Sequence, residues 1–169
     1  MSMRHSYTVI IAVALFMLCA PLRALATQVD GSPIEQILDT NKDAKKLDGA
    51  KLKVARPFLK RTPMGVIIDE INMMIICPIK LDGAEGYSFS KEALNILKKY
   101  NLVRQIDDEK STMDIYIDTP ENNRFSEIIL YNTKPEASIL LFVGDFTVES
   151  LIKVGEASEQ ERKHLKKNR

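Results

Sequence analysis

The sequence predicts an α+β domain in which an antiparallel β-meander sheet is packed on one face by an amphipathic helix and shorter helices. Two observations predict this class. Residues 90–100 place apolar side chains on one helical face, and four β-rich runs follow after residue 101, separated by short clusters of turn-forming residues. Connections that short join antiparallel neighbours.

Residues 1–26 have the pattern of a cleaved secretory signal peptide. Arg4 precedes an apolar run over residues 8–20, and the small-residue triplet at residues 24–26 follows. This pattern predicts cleavage between Ala26 and Thr27. The protein is therefore expected to be exported, with a periplasmic or cell-envelope location.

Two alternatives apply to the same segment. The apolar run is shorter than the roughly 20 residues that a bilayer-spanning helix needs, which disfavours a retained anchor. Lipoprotein processing at Cys19 is disfavoured because Leu18 stands where a small residue is normally found. We therefore expect no stable membrane span after signal cleavage.

The remaining chain has the length of one domain, which we place at residues 27–156, followed by a charged tail at residues 157–169. Loss of Arg4 and Arg23 with the leader changes the net charge from +1 to about −1. A net charge near zero favours neither nucleic acid nor an anionic surface as a partner. We expect no nucleic-acid partner.

The domain opens with a helix signal. Ser32, Pro33 and Glu35 form a capping-box pattern that predicts a short helix ending near Asp39. The polar, lysine-rich stretch at residues 40–49 predicts a solvated connection.

Strand and turn signals follow. Residues 50–54 alternate apolar and basic side chains, which predicts a strand with one exposed face. Residues 57–60 predict one helical turn that ends before Pro63. The apolar stretch at residues 71–79 predicts a buried strand ending at Pro78.

The amphipathic helix is expected from Ser88 or Ser90 to Tyr100, with Asn101 closing it in a left-handed conformation. The lysines of this segment face outward. Its apolar face is formed by Phe89, Ala93, Leu94, Ile96, Leu97 and Tyr100.

The meander strands are expected at residues 102–106, 113–117, 125–131 and 138–146. Thr147 then predicts the cap of a helix through Val154. The charged tail has almost no apolar face to bury, which predicts that it frays.

The closing segment, Ile139 to Leu151, consists of an apolar strand, Gly144 and a helix capped by Thr147. Together with the order of the preceding elements, it resembles the family of small exported Bacteroidota proteins known as the domain of unknown function numbered 4252. The resemblance covers roughly residues 50–154. Members often carry a lipoprotein leader, which this sequence lacks. The resemblance implies an α+β fold and an envelope location, and it supplies no catalytic residues because the family has no established activity.

The sequence offers no set of residues typical of a nucleophilic or metal-binding site. After cleavage only Cys77 remains, inside an apolar run, where a cysteine is typically an inert core residue. A catalytic thiol needs a neighbouring histidine or helix N-terminus, and the only histidine left after cleavage, His164, lies in the charged tail. One cysteine and one histidine do not make a zinc site. The dispersed aromatic residues argue against a carbohydrate-stacking or single-strand nucleic-acid surface.

Two groupings of acidic residues remain as candidate functional sites. Asp69 and Glu70 interrupt an apolar stretch, where burial can shift a carboxylate into an acid or base. Exposure of both at a turn or strand edge is the favoured interpretation. A second group has oxygen ligands of the kind calcium prefers but matches no calcium-loop spacing. It consists of Asp107, Asp108, Glu109, Asp114 and Asp118.

We therefore predict no catalytic, cofactor-binding or metal-binding residue and no cofactor. The expected function is non-catalytic binding or scaffolding in the cell envelope, with an envelope protein as the partner. The alternatives are a regulatory partner of an envelope signalling system and, less favoured, a carboxylate-based enzyme. Two convergent carboxylates in a pocket would favour the enzyme, and an exposed apolar edge strand or patch would favour a binding module.

Overall fold

The computed structural model describes residues 31–80, 83–107, 112–134 and 136–167. The predicted leader, its predicted cleavage site and Cys19 lie outside the described residues. The chain divides after Gly31, and the elements below belong to the second unit. They are helix α1 (Pro33–Thr40), strand β1 (Lys45–Asp48), helix α2 (Gly49–Leu59), a 3₁₀ segment (Pro63–Glu70), β2 (Ile71–Pro78), α3 (Ala84–Leu97), β3 (Asn101–Asp107), β4 (Thr112–Ile117), β5 (Arg124–Lys134), β6 (Ser138–Thr147) and α4 (Val148–Lys167).

The strands form one antiparallel sheet in the order β1-β2-β6-β5-β4-β3. Strands β3 to β6 are the predicted meander, and β2 pairs with the outer side of β6. The predicted α+β class is therefore confirmed. Strand β6 is covered on both faces, because Leu141 belongs to one core cluster and Phe142 to the other.

Helices lie on both faces of the sheet. Helices α1 and α3 pack on one face through Leu38, Ala93 and Leu97. Helix α2, the 3₁₀ segment and α4 contribute to the opposite cluster. The amphipathic helix covers one face as predicted, whereas the shorter helices divide between both faces. This arrangement follows from β2 and β6, whose apolar residues point to both sides and require cover on both.

Two predictions in the first half are wrong. Residues 50–54 are not a strand but part of α2, and the predicted connection at residues 40–49 contains β1. The alternation of lysine with Leu52 and Val54 fits a strand, but in the helix Leu52 faces the core while Val54 is 72% exposed. An edge strand such as β1 needs no apolar face, since its contribution is main-chain pairing and lysines are common there.

The other boundaries shift by less. The predicted strand ending at Pro78 is confirmed, and Ser32 caps α1 by accepting a hydrogen bond from the amide of Glu35 at 3.2 Å. Helix α3 begins earlier than predicted, and Asn101 is the first residue of β3 instead of a left-handed helix end. Helix α4 continues beyond Val154 because the tail is rich in helix-forming residues. Fraying of residues 157–169 stays a prediction.

Candidate functional site

Cys77 lies on β2 with no exposed surface, as predicted for a core residue. Burial, with a smaller contribution from the negative charge of Asp43, raises the pKa of the Cys77 thiol to about 11. A thiol with that pKa stays protonated at neutral pH and is a poor nucleophile. The side chain of His164 lies outside the described part of α4.

Asp69 and Glu70 do not converge on a site. Asp69 is 86% exposed and forms an ion pair with Arg56 at 3.3 Å. Glu70 is half-buried and accepts a 2.5 Å hydrogen bond from the hydroxyl of Ser150. Ser150 and Thr147 also exchange hydrogen bonds that cap α4, so Glu70 fastens the 3₁₀ segment to the start of that helix. Exposure is therefore confirmed for Asp69 only.

The acidic residues around β4 have separate structural contacts. Asp118 accepts hydrogen bonds from the amides of Ser126 and Glu127, both at 3.0 Å, and from the Ser126 hydroxyl at 2.7 Å. Asp107 accepts from Thr112. Asp108 and Glu109 lie outside the described residues. Within the part of the chain that is described, no three His, Cys, Asp or Glu side chains are grouped to hold a metal ion.

The most distinctive surface is a groove of about 710 Å³ between α3 and strands β3 to β5. Four of the five tyrosines of the chain line it, so we call it the tyrosine groove. They are Tyr87, Tyr100, Tyr116 and Tyr131. Tyr87 comes from α3, Tyr100 from the turn after it, and the other two from β4 and β5. The remaining lining residues include Ser90, Lys91, Asn95, Lys98 and Leu102.

Strand geometry brings two of these tyrosines together. Tyr131 is the direct cross-strand partner of Asp114, and Asp114 and Tyr116 are two residues apart on β4. Side chains two residues apart share a face of a strand, so all three lie on the α3 side of the sheet. The hydroxyl of Tyr116 donates a weak hydrogen bond to Asp114 at 3.4 Å.

A buried carboxylate, that of Glu127, orients the side chain of Tyr100 at the base of the groove. The hydroxyl of Tyr100 donates a hydrogen bond to Oε2 of Glu127 at 2.8 Å, and Glu127 is 5% exposed. Burial raises the pKa of Glu127, although hydrogen bonds from Ser32 and Tyr100 act in the opposite direction. Burial likewise raises the pKa of Tyr100, and the hydrogen bond to Glu127 adds to the effect. This pair orients Tyr100 and links α1 to the floor of the groove.

The groove combines neutral phenols, the carboxylate of Asp114 beside two of them, and positive charge on the α3 side. Burial, then the charge of Asp114, raises the pKa of Tyr116 and of Tyr131, so both phenols stay protonated at neutral pH. Lys91 and Lys98 supply the charge on the α3 side. Within the described structure, the buried hydroxyl of Ser90 has no hydrogen-bond partner. A buried polar atom without a partner is costly, and this enclosed hydroxyl is not presented at the surface of the groove.

A second groove of about 310 Å³ lies on the other face of the sheet, between α4 and strands β3 to β5. Aliphatic side chains dominate its lining, among them Ile106, Ile115 and Leu151. Strands β3 to β5 separate the two grooves, and the edge strand β3 contributes residues to both. Its Leu102 lines the tyrosine groove and is 51% exposed, whereas its Val103 lines the aliphatic groove and is 40% exposed.

Comparison with known proteins gave no matching family model, no matching curated protein and no matching solved structure. The resemblance to the exported family stays a prediction. Among the described residues, no helix is both long and apolar enough to cross a membrane.

The sequence did not reveal the tyrosine groove, because its aromatic residues are spread over residues 87–131. The topology brings them together when α3 crosses over the β4–β5 hairpin. A partial signal was present, since the alternation of Asp114 and Tyr116 on a predicted strand places both on one face.

Proposed function

We propose that the protein is an exported, non-catalytic binding module of the cell envelope that holds an extended segment of another envelope protein in the tyrosine groove. The observation that carries this proposal is the convergence of four tyrosines on one groove. Tyrosine is enriched at the energetically important centres of protein interfaces, since its ring buries apolar area while its hydroxyl forms hydrogen bonds. The leader and the family resemblance support export.

The dimensions and chemistry of the groove suit a polypeptide segment. Its volume falls within the roughly 300 to 1,000 Å³ that is usual for ligand sites. The tyrosine rings supply apolar contact, and the side-chain amide of Asn95 supplies a hydrogen-bonding group for a main chain. Lys91 and Lys98 favour a segment that carries an acidic side chain.

The exposed edge strand supports a protein partner. Strand β3 is the last strand of the sheet, and Leu102 and Val103 are partly exposed on it. An exposed apolar edge strand can pair with an extended chain. The segment in the groove would therefore run beside β3.

A carboxylate-based enzyme has less support. None of the described residues that line the tyrosine groove is Asp or Glu. Glu127 is enclosed beneath Tyr100, and Asp118 is occupied by three donors from β5. A regulatory role in envelope signalling requires the same kind of interface and differs in the identity of the partner.

Site-specific photocrosslinking in producing cells tests the proposal. A benzophenone amino acid replaces Tyr87, which is 67% exposed at the groove. We expect one dominant crosslinked envelope protein. The matched control carries the same group at Ile152, which is 56% exposed and lines the aliphatic groove.

Affinity measurements on that partner then assign the site. Tyr116→Ala should weaken binding by about tenfold or more, as expected for a central interface tyrosine. Equal crosslinking from positions 87 and 152, or unchanged affinity of Tyr116→Ala, would exclude the tyrosine groove as the binding site.

A further inference from the structure

Helix α2 exposes two large apolar side chains to solvent. Val54 is 72% exposed and Phe58 is 69% exposed. They are four residues apart, so they lie on the same face of the helix, one turn from each other. This face is the outward one, because the buried residue of α2, Leu52, lies on the opposite side.

The orientation of α2 is fixed, so this apolar face cannot turn toward the core. Arg56 donates hydrogen bonds to the carboxylate of Asp69 at 3.3 Å and to the carbonyl oxygen of Ile71 at 3.4 Å. Leu52 is 3% exposed in the cluster formed with the 3₁₀ segment and α4. A rotation that buried Val54 and Phe58 would remove Leu52 from the core and break both contacts of Arg56.

Basic residues surround the exposed apolar pair. Residues 49–62 contain five basic residues and no acidic residue. Lys51 and Lys53 flank the Val54–Phe58 stripe on its two sides, as follows from 3.6 residues per helical turn. Lys60 and Arg61 follow at the end of the helix, and all four of these side chains belong to exposed residues.

We propose that α2 binds peripherally to an anionic membrane surface, with Val54 and Phe58 inserted at the level of the headgroups and the basic residues in contact with acidic lipids. An apolar stripe flanked by lysines is the pattern of helices that lie in the membrane interface. The cores of protein–protein interfaces are instead depleted in lysine. The charge of residues 49–62 thus favours a lipid surface over a protein partner for this face.

This attachment is independent of the proposed function. Helix α2 belongs to one core cluster and α3, which borders the tyrosine groove, belongs to the other. The two surfaces therefore lie on opposite faces of the sheet. The protein can bind a membrane with one face while a partner occupies the other.

Vesicle co-sedimentation tests the proposal with protein recovered from the envelope fraction, its N-terminus determined by mass spectrometry. Vesicles of equal parts phosphatidylglycerol and phosphatidylcholine are compared with vesicles of phosphatidylcholine alone. We expect binding to the anionic vesicles that falls as salt is added, because screening weakens the attraction. Comparing variants that share one N-terminus cancels any contribution from residues before the domain.

Variants in α2 assign the binding face. Replacing Lys51 and Lys53 by Gln should lower vesicle affinity about 25-fold, since each basic residue near an anionic surface contributes about fivefold. Phe58→Ser should lower it about tenfold or more through lost apolar contact. Neither change should alter the melting temperature, because the replaced side chains are exposed.

Tyr87→Ser is the matched control, since Tyr87 is as exposed as Phe58 but lies on α3. It should leave vesicle binding unchanged. Equal binding to neutral and anionic vesicles, or an equal loss in the Phe58 and Tyr87 variants, would overturn the proposal. A wild-type protein that self-associates through Phe58 in sedimentation velocity and ignores vesicles would also overturn it.

Discussion

Gly144 stands where the fold leaves no space for a side chain. It lies in β6 opposite Ile71. A Cβ atom at this position would lie 2.1 Å from the carbonyl oxygen of Glu70 and 2.7 Å from Cζ of Phe146. Glu70 and Ile71 form the junction between the 3₁₀ segment and β2, so the nearer obstacle is main chain and cannot swing aside. Gly144→Ala must therefore displace this junction.

The expected cost of Gly144→Ala is about 1 to 3 kcal/mol of unfolding free energy, the usual penalty of inserting a methyl group into a packed region. Displacing Glu70 would also weaken the hydrogen bond that it accepts from Ser150 at the start of α4. Phe146 is fully buried beside Phe125, with ring centroids 5.6 Å apart, and has little freedom to move. The cost should therefore lie toward the upper end of that range.

Gly155 provides a matched control with the opposite sign. It lies inside α4, and an added Cβ would approach only Nη1 of Arg104, at 3.4 Å. That atom is the end of a flexible side chain, so Gly155→Ala should stabilise by about 0.5 to 1 kcal/mol through helix propensity. Chemical denaturation of both variants measures the two effects. A Gly144→Ala protein as stable as the wild type, or two variants that shift in the same direction, would refute the packing of Glu70 against β6.

Four further outcomes are expected. Mass spectrometry of protein from the envelope should show Thr27 as an unacylated N-terminus, whereas an acylated Cys19 would contradict the predicted processing. Cys77 should resist alkylation in the native state and react once the protein is denatured, and fast native labelling would contradict its burial. Burial raises the pKa of Glu127 above the ordinary 4.5, so the ionised carboxylate destabilises the fold at pH values above its raised pKa. Glu127→Gln should therefore raise the melting temperature at pH 7, and this advantage should disappear as the pH falls through the raised pKa to 4.5. Leu141→Ala should cost about 2 to 5 kcal/mol, and Leu141→Asp should abolish folding as measured by circular dichroism, since it places a charge where the structure leaves no exposed surface.

The elements that the sequence predicted well are those whose side chains make the core. Strands β2 and β6 are read from continuous apolar runs, and α3 from its helical periodicity. The meander follows from turn residues at short intervals, and Asn122 and Asn123 in one such turn indeed have positive φ angles of 51° and 63°. Residues that pack in the core must be spaced with the period of the strand or helix that carries them, so their spacing in the sequence predicts that strand or helix.

The wrong predictions concern elements that make little core. Strand β1 is held by main-chain pairing to β2, which leaves no apolar alternation to detect. Helix α2 buries only Leu52, so its helical period is hidden by the alternation of lysines with Leu52 and Val54. The convergence of the tyrosines depends on where α3 crosses the sheet, and no local pattern contains that information.

The reason that residues 50–54 were wrongly predicted as a strand also bears on the role of helix α2. A sequence selected only for folding places polar residues on the exposed face of a surface helix, and the resulting period of 3.6 is easy to read. In α2 the exposed face instead carries Val54 and Phe58, which are 72% and 69% exposed and add little to the stability of the fold. Departures from local rules are expected where function constrains the sequence. If lipid contact is that constraint, substitutions by serine at Val54 and Phe58 will remove membrane binding while the unfolding free energy stays within about 0.5 kcal/mol of the wild type, as is usual for surface positions.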